Sequence, residues 1–472
     1  MTIVSILKKT LGVSAVSILL SGCATMPALF SPPPLKAEIP ENWIAEHNQG
    51  EVSGAWWQEF NDPILNAFIN EAILSNHDLA AAAARIETAQ AEARVAGADL
   101  YPQIQGGTNA ARSKQVTALG DTISNSYGVS LDVSWELDVW GRIRSGTSAA
   151  ISDLQAQEAE YAAAALSLAA QTSKAWFAVV EAQSQLNLAN ETVESFRKTA
   201  KQAANRVDAG VQSPTDKYLT EANVSSAEAL VQQRTETLKR SVRQLEILLG
   251  RYPAGQIDSA SALPSVPALP DTGIPSELIS RRPDLMAAER RLAAADKRID
   301  ASKAALLPRL SLTGSTGTMS DQFGDLLDGN FLGWTIASNL IQPLFQGGRL
   351  RAQIKGAEGR AQEAAERYAQ LALSAFGEIE TSLSVDENLR LREDAQKRTA
   401  AAAGEAARIA NNRYGQGIET LLSVLEGQRR QLDAQGAVLS AHRQRLENRV
   451  DLYLALGGGF ENLQIADEGQ TP

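Results

Sequence analysis

The plainest hydrophobic pattern in this chain is a two-residue alternation between Tyr127 and Leu137. Tyr127, Val129, Leu131, Val133, Trp135 and Leu137 are apolar, and Gly128, Ser130, Asp132, Ser134 and Glu136 between them are small or polar. Successive side chains of a strand point to opposite faces, so the stretch predicts a strand with one apolar and one polar face. A weaker copy follows later, with Leu332, Trp334, Ile336 and Leu340 on one face and Thr335 and Asn339 on the other. A soluble half-buried hairpin would show this alternation, and so would a barrel wall between lipid and water.

The copy belongs to an internal duplication. Asp78-Leu79 recurs 206 residues later as Asp284-Leu285, and at that offset Arg85, Ile86 and Pro102 meet Arg291, Leu292 and Pro308. At an offset of 207, Gly141-Arg142 meets Gly348-Arg349, Arg206 meets Arg413, and Gly210 meets Gly417. Leu245, Leu249 and Gly250 return as Leu452, Leu456 and Gly457. Two structural repeats are expected, 62–250 and 276–457, with a proline-rich connector at 251–275 and a tail at 458–472.

Each repeat predicts the same order of elements. A helix (about 77–99, then 283–305) is stopped by Pro102 or Pro308. Two strands follow, about 103–113 and 124–137 in the first repeat and 309–319 and 331–343 in the second. Then come proline-free helical stretches, about 145–207 and 350–413. Some 65 residues at roughly 1.5 Å each reach about 95–100 Å, more than a globular core needs. Tip turns at 208–215 and 414–420 lead into return helices. Gly210 suits a left-handed cap, Ser213 an N-cap and Pro214 the first helical position.

Composition narrows the reading. The 472 residues are 44% apolar and 5% aromatic, which suits long helices. The net charge of -11 disfavours nucleic acid as a partner. Three scattered histidines, His47, His77 and His442, lack metal-ligand spacing, and no catalytic motif is present, so neither a metal site nor an enzyme is expected. Lys8 and Lys9, an apolar run from Leu11 to Leu20, and the sequence Leu-Ser-Gly-Cys ending at Cys23 read as a signal peptide over 1–22. That ending resembles a lipobox, which would put diacylglycerol and an N-acyl chain on Cys23; a plain signal with a chance cysteine is the alternative. Ala24 leans towards the outer membrane. Residues 23–61 then read as an extended, lipid-anchored leader.

After the signal no stretch approaches the ~20 apolar residues of a spanning helix. Membrane crossing would therefore need a closed β-barrel, because lipid offers unpaired backbone groups no partner. Four strands per chain cannot close one, but three chains supply twelve. The expected fold class is mainly α with a membrane β-barrel: two tandem repeats, each giving two barrel strands and a long helical hairpin. The trimer would form a twelve-stranded barrel continuous with a second, helical α-barrel.

Several stretches carry a family resemblance: AWWQEFNDPILNAFI (Ala55 to Ile69), WELDVWGRIR (Trp135 to Arg144), GIPSELISRRPDL (Gly273 to Leu285), PLFQGGRLRA (Pro343 to Ala352) and RYGQGIETLLSVLEGQRR (Arg413 to Arg430). With these the chain resembles the TolC-like outer-membrane factors, in the lipoprotein (NodT-type) branch that serves resistance-nodulation-division pumps. The resemblance implies a homotrimeric efflux channel with its β-barrel in the outer membrane, held among its lipids, and a periplasmic α-barrel. Its partners would be a periplasmic adaptor protein and an inner-membrane transporter of the resistance-nodulation-division class. It also implies a periplasmic gate at Leu422, Glu426, Tyr414 and Arg429, with aspartate in the family where this chain has Glu426. The adaptor would touch Gly210, Val211 and Ser213 in one tip and Gly417, Ile418 and Thr420 in the other. Glu426 has a plainer reading as an intrahelical partner of Arg429 or Arg430, and the tip glycines as hairpin chemistry. Two rival functions stand beside efflux: a type I protein secretion channel, and a pore-free structural lipoprotein of the periplasm.

Overall fold

The computed structural model describes residues 54–118, 120–257, 262–273 and 278–458, together with 40, 42–45 and 275. Cys23, the signal segment and all of the tail beyond residue 458 lie outside them.

Asp62 starts the first helix. Its carboxylate accepts the amides of Ile64 and Leu65 at 2.9 and 3.1 Å, and Pro63 takes the first helical position of α1 (Pro63–Ser75). Asn76 does the same for α2 (His77–Ala98) and donates from its amide to the Leu248 carbonyl at 3.0 Å. Strands β1 (Gln103–Thr117) and β2 (Gly120–Leu137) follow, then α3 (Arg142–Asp208) and α4 (Pro214–Leu248). A single turn, α5 (Leu278–Arg281), leads the second repeat: α6 (Pro283–Ala304), β3 (Arg309–Ser320), β4 (Leu332–Ile341), α7 (Arg349–Gly415) and α8 (Leu421–Ala455). Helices α3 and α7 have 67 residues each, about 100 Å at ~1.5 Å per residue.

The strands form one antiparallel sheet in the order β1-β2-β3-β4. Its register places Val129, Leu131, Val133 and Trp135 opposite Thr318, Thr316, Gly314 and Leu312, and these opposite Leu332, Trp334, Ile336 and Ser338. One face is thus dominated by apolar side chains, while the other carries Glu136, Ser134, Asp132, Ser311 and Asn339. Beneath the sheet the helices pack side by side in the order α2, α3, α6, α7, the order of the strands above them. No helix among the described residues is long and apolar enough to cross a membrane.

The core sits midway along α3. Leu166, Trp176, Phe177 and Val180 are buried against Leu65, Phe68, Leu245 and Tyr453. Here the extended-leader expectation fails in part. Trp56–Phe60 is a turn of 3-10 helix whose Trp56, Trp57 and Phe60 belong to that core, with Trp56 stacked on Tyr453 at 5.4 Å. Trp43 is also buried, and its indole donates to the Gly273 carbonyl at 3.1 Å. Three large aromatic rings within five residues bury too much apolar area to stay in solvent.

The proline-rich connector lies across α7 and α8 and is held there by side chains of α8. His442 contacts the Pro264 carbonyl through Nε2 at 2.8 Å and Glu393 of α7 through Nδ1 at 2.9 Å. Arg449 donates to the carbonyls of Pro267, at 3.0 Å, and Ala268, and to Asp386 at 2.9 Å. Glu393 is fully buried and also pairs with Lys397 at 2.6 Å and Arg445 at 2.7 Å.

Candidate functional site

The two hairpin tips are built alike. Gly210 (φ 71°) and Gly417 (φ 80°) adopt the left-handed conformation that ends a helix. Val211 N donates to Arg206 O at 3.0 Å, and Ile418 N to Arg413 O at 2.9 Å, so the same closing bond satisfies the last carbonyls of α3 and α7. Ser213 and Thr420 then accept amides that start α4 and α8, both at 3.3 Å. The apolar residues after the glycines are exposed, Val211 by 71% and Ile418 by 62%. Nothing lies within 4 Å of where a Cβ would stand at either glycine.

One contact set joins the tips. Arg206 of α3 donates to the carbonyls of Tyr414 and, at 3.0 Å, Gly415. Its guanidinium lies 4.3 Å from the centre of the Tyr414 ring. The Tyr414 hydroxyl donates to Gln212 Oε1 at 2.8 Å, and its ring is buried with Leu421 and Val424. Further up, Gln428 of α8 donates to Ser195 and Thr199 of α3, both at 3.0 Å, and Gln185 of α3 donates to the Gly436 carbonyl at 3.0 Å. Glu181 of α3 accepts from Ser440 at 2.6 Å and Arg443 at 2.5 Å. The two hairpins are therefore laced together from the tip to mid-height.

The four positions expected to form a gate separate into two groups. Tyr414 lies inside the tip contacts just described. Leu422, 74% exposed, and Glu426 stand one helical turn apart on an open face of α8. Glu426 accepts from Arg429 at 2.9 Å and Arg430 at 2.7 Å within its own helix. Those hydrogen bonds, Arg430 first and Arg429 second, hold its carboxyl below the usual carboxylate range. Arg429 pairs with Glu426 and, at 3.6 Å, Asp433. Within one chain it does not reach Tyr414. The arginine that binds the tyrosine is Arg206, which comes from the other repeat. A trace of it was visible in the sequence, because Arg206 and Arg413 are duplicated positions. The duplication does not reveal that they differ: Arg413 turns to Glu419 at 3.6 Å. Among the described residues no group of acidic, histidine and cysteine side chains could hold a metal ion.

The model of the outer membrane efflux protein family matches this chain twice, over residues 68–251 and 274–458. The two stretches keep the spacing of the internal duplication. The pyoverdine export outer membrane protein OpmQ of Pseudomonas putida is 32% identical, over 94% of this chain and 96% of its own. The outer membrane protein OprJ of Pseudomonas aeruginosa is also 32% identical, over 98% of each chain. Among solved structures, the outer-membrane channel OprN superposes with a TM-score of 0.83 at 28% identity, covering 91% of this chain and 99% of its own. The MtrE outer membrane channel of Neisseria gonorrhoeae, solved in an open state, gives 0.81 at 31% identity, covering 93% and 99%.

Proposed function

The chain belongs to the outer membrane efflux protein family, and we propose that it works as a homotrimer whose three sheets close one barrel. It is an outer-membrane channel component of an efflux pump, in keeping with relatives named for efflux and export rather than for either rival function. The observation that carries the trimer is the four-stranded sheet with two unpaired edges, β1 and β4. An unpaired edge in lipid is prohibitively costly, and a second copy offers β1 to β4 with no new kind of contact. The same junction would set α2 of one copy beside α7 of the next, extending the wall into a helical tunnel. The exposed tip residues Val211 and Ile418 support docking of a periplasmic adaptor there, and through it of an inner-membrane transporter. Leu422 and Glu426 are assigned to the constriction, where three copies of a carboxylate would favour cations. Cys23 is assigned the lipid anchor.

The deciding experiment is the molar mass of the detergent-extracted protein by light scattering, corrected for bound detergent. Three chains per particle are expected. A stable monomer would leave both sheet edges bare and end the barrel reading.

A further inference from the structure

A cluster of arginines at the strand–helix junction of the second repeat has no part in the contacts described so far. A cavity of about 640 Å³ lies there between α6 and α7. Small residues shape its walls, Ala301 on α6, Ala305 capping that helix, and Ala352 and Gly356 on α7. Four arginines line it: Arg142 at the start of α3, Arg309 at the start of β3, and Arg349 and Arg360 on α7. No carboxylate lines it.

Two of the four are engaged. Arg142 donates to both oxygens of Glu136, at 3.1 and 2.9 Å, and Arg349 to the side-chain oxygen of Gln346 at 2.6 Å. The guanidiniums of Arg309 and Arg360 have no hydrogen-bond or ion-pair partner among the described residues. Among the described residues Glu136 is the one carboxylate paired with any of the four, which leaves an excess of positive charge in the cavity lining of a chain whose net charge is -11.

Register shows which way the cluster faces. Glu136 lies opposite Ser311, and Arg309 is two residues from Ser311, so all three stand on the polar face of the sheet. Helices α6 and α7 are neighbours within one chain, so a single chain completes the cavity. Planar guanidiniums with free N–H forks bind oxyanions through paired, charge-assisted hydrogen bonds.

We propose that Arg142, Arg309, Arg349 and Arg360 form a binding site for a multivalent oxyanion, the class that includes phosphate esters and polycarboxylates. In the channel reading, on which this consequence rests, the polar face is the lumen wall. Anionic cargo then meets a positive collar where the helical tunnel passes into the barrel. The acidic ring assigned to the tip and this collar act on opposite charges at the two ends of the tunnel.

The test uses the full mature protein in neutral detergent, titrated calorimetrically with inorganic pyrophosphate at low ionic strength. Saturable binding at one site per chain is expected. Arg309→Ala with Arg360→Ala should weaken it by about ten-fold or more, since two charge-assisted partners are removed. Arg309→Lys with Arg360→Lys keeps the charge but loses the fork, and should fall between. Arg351→Ala removes an exposed arginine of α7 that does not line the cavity, and should change nothing. Unaltered circular dichroism and particle mass establish that the variants fold. No saturable binding by the unmodified protein would overturn the proposal. So would equal loss in the Arg351 variant and the double variant, which would mean a diffuse positive surface. Phosphatidylglycerol mixed into the micelles distinguishes the source: competition with pyrophosphate identifies a lipid headgroup as the natural occupant, and indifference a soluble anion. Bilayer recordings separate this site from the channel reading. Pyrophosphate binding without pores would remove the channel and keep the site, whereas pores in a protein that binds no pyrophosphate would do the reverse.

Discussion

At the scale of the residue, a buried charge cluster joins α7 to α8. Glu393 is the centre, with Lys397, Arg445 and His442 around one carboxylate. Burial alone pushes its pKa up, but hydrogen bonds from Lys397, Arg445 and His442 outweigh that and lower it from 4.5 to about 2. A depressed folded-state pKa adds stability that is full above the unfolded value. It is lost as pH falls from about 4.5 through about 2. Replacing Glu393 by Gln strands the charges of Lys397 and Arg445, and the cost expected is about 3 kcal/mol at neutral pH, shrinking below pH 4. Denaturant unfolding of both proteins at pH 7 and pH 3 measures it; an equal difference at the two pH values would show that Glu393 acts by packing alone. Arg206 makes the second residue-scale prediction. Its two carbonyl bonds and its contact with the Tyr414 ring amount to about 2 kcal/mol. If the tip contacts hold a gate shut, Arg206→Ala should therefore shift its equilibrium towards the open state by at most about 30-fold. Single-channel recording reads it, and an unchanged open probability would detach the tip contacts from gating.

At the scale of the element, the hairpin ends follow from chain chemistry that can be read directly. A glycine in the left-handed conformation, then a serine or threonine cap, reverses each helix, and Pro214 begins the return in the first repeat. Any side chain at Gly210 or Gly417 incurs backbone strain of about 1–2 kcal/mol because φ is positive. Its Cβ meets no atom of a non-neighbouring residue within 4 Å. Alanine and tryptophan at these sites therefore share the strain and differ in what they present to a partner. If the tips dock an adaptor, Gly210→Trp and Gly417→Trp abolish efflux while the alanine variants retain most of it. Equal loss in both pairs, with trimers intact, would assign the effect to strain and move docking to another surface.

At the scale of the whole molecule, each sheet strand stands over one wall helix, so β1-β2-β3-β4 and α2-α3-α6-α7 share their order. The same unpaired edge is thereby carried from the strands into the helices, and one interface serves both layers. This is the physical ground for expecting three chains per particle. A chain that hid its strand edge in some other way would leave the outer side of α7, away from α6, without a partner wall helix.

Much of this was legible in the chain itself. The period-2 alternation, the proline stops at Pro102 and Pro308, and the glycine-cap-proline turns each act within a few residues, so local chemistry is enough to mark strand, helix and tip. The duplication showed that one pattern had to be solved twice. Tertiary structure decided what depends on contacts between distant segments. It put Trp56, Trp57 and Phe60 into the core, where the polar and proline-rich residues before them suggested a leader. It gave Tyr414 the partner Arg206, 208 residues away, in place of the nearby Arg429. It gathered Arg142, Arg309, Arg349 and Arg360 from three elements into one cavity. Periodicity reports the face on which a side chain lies, and only the folded chain reports what that face meets.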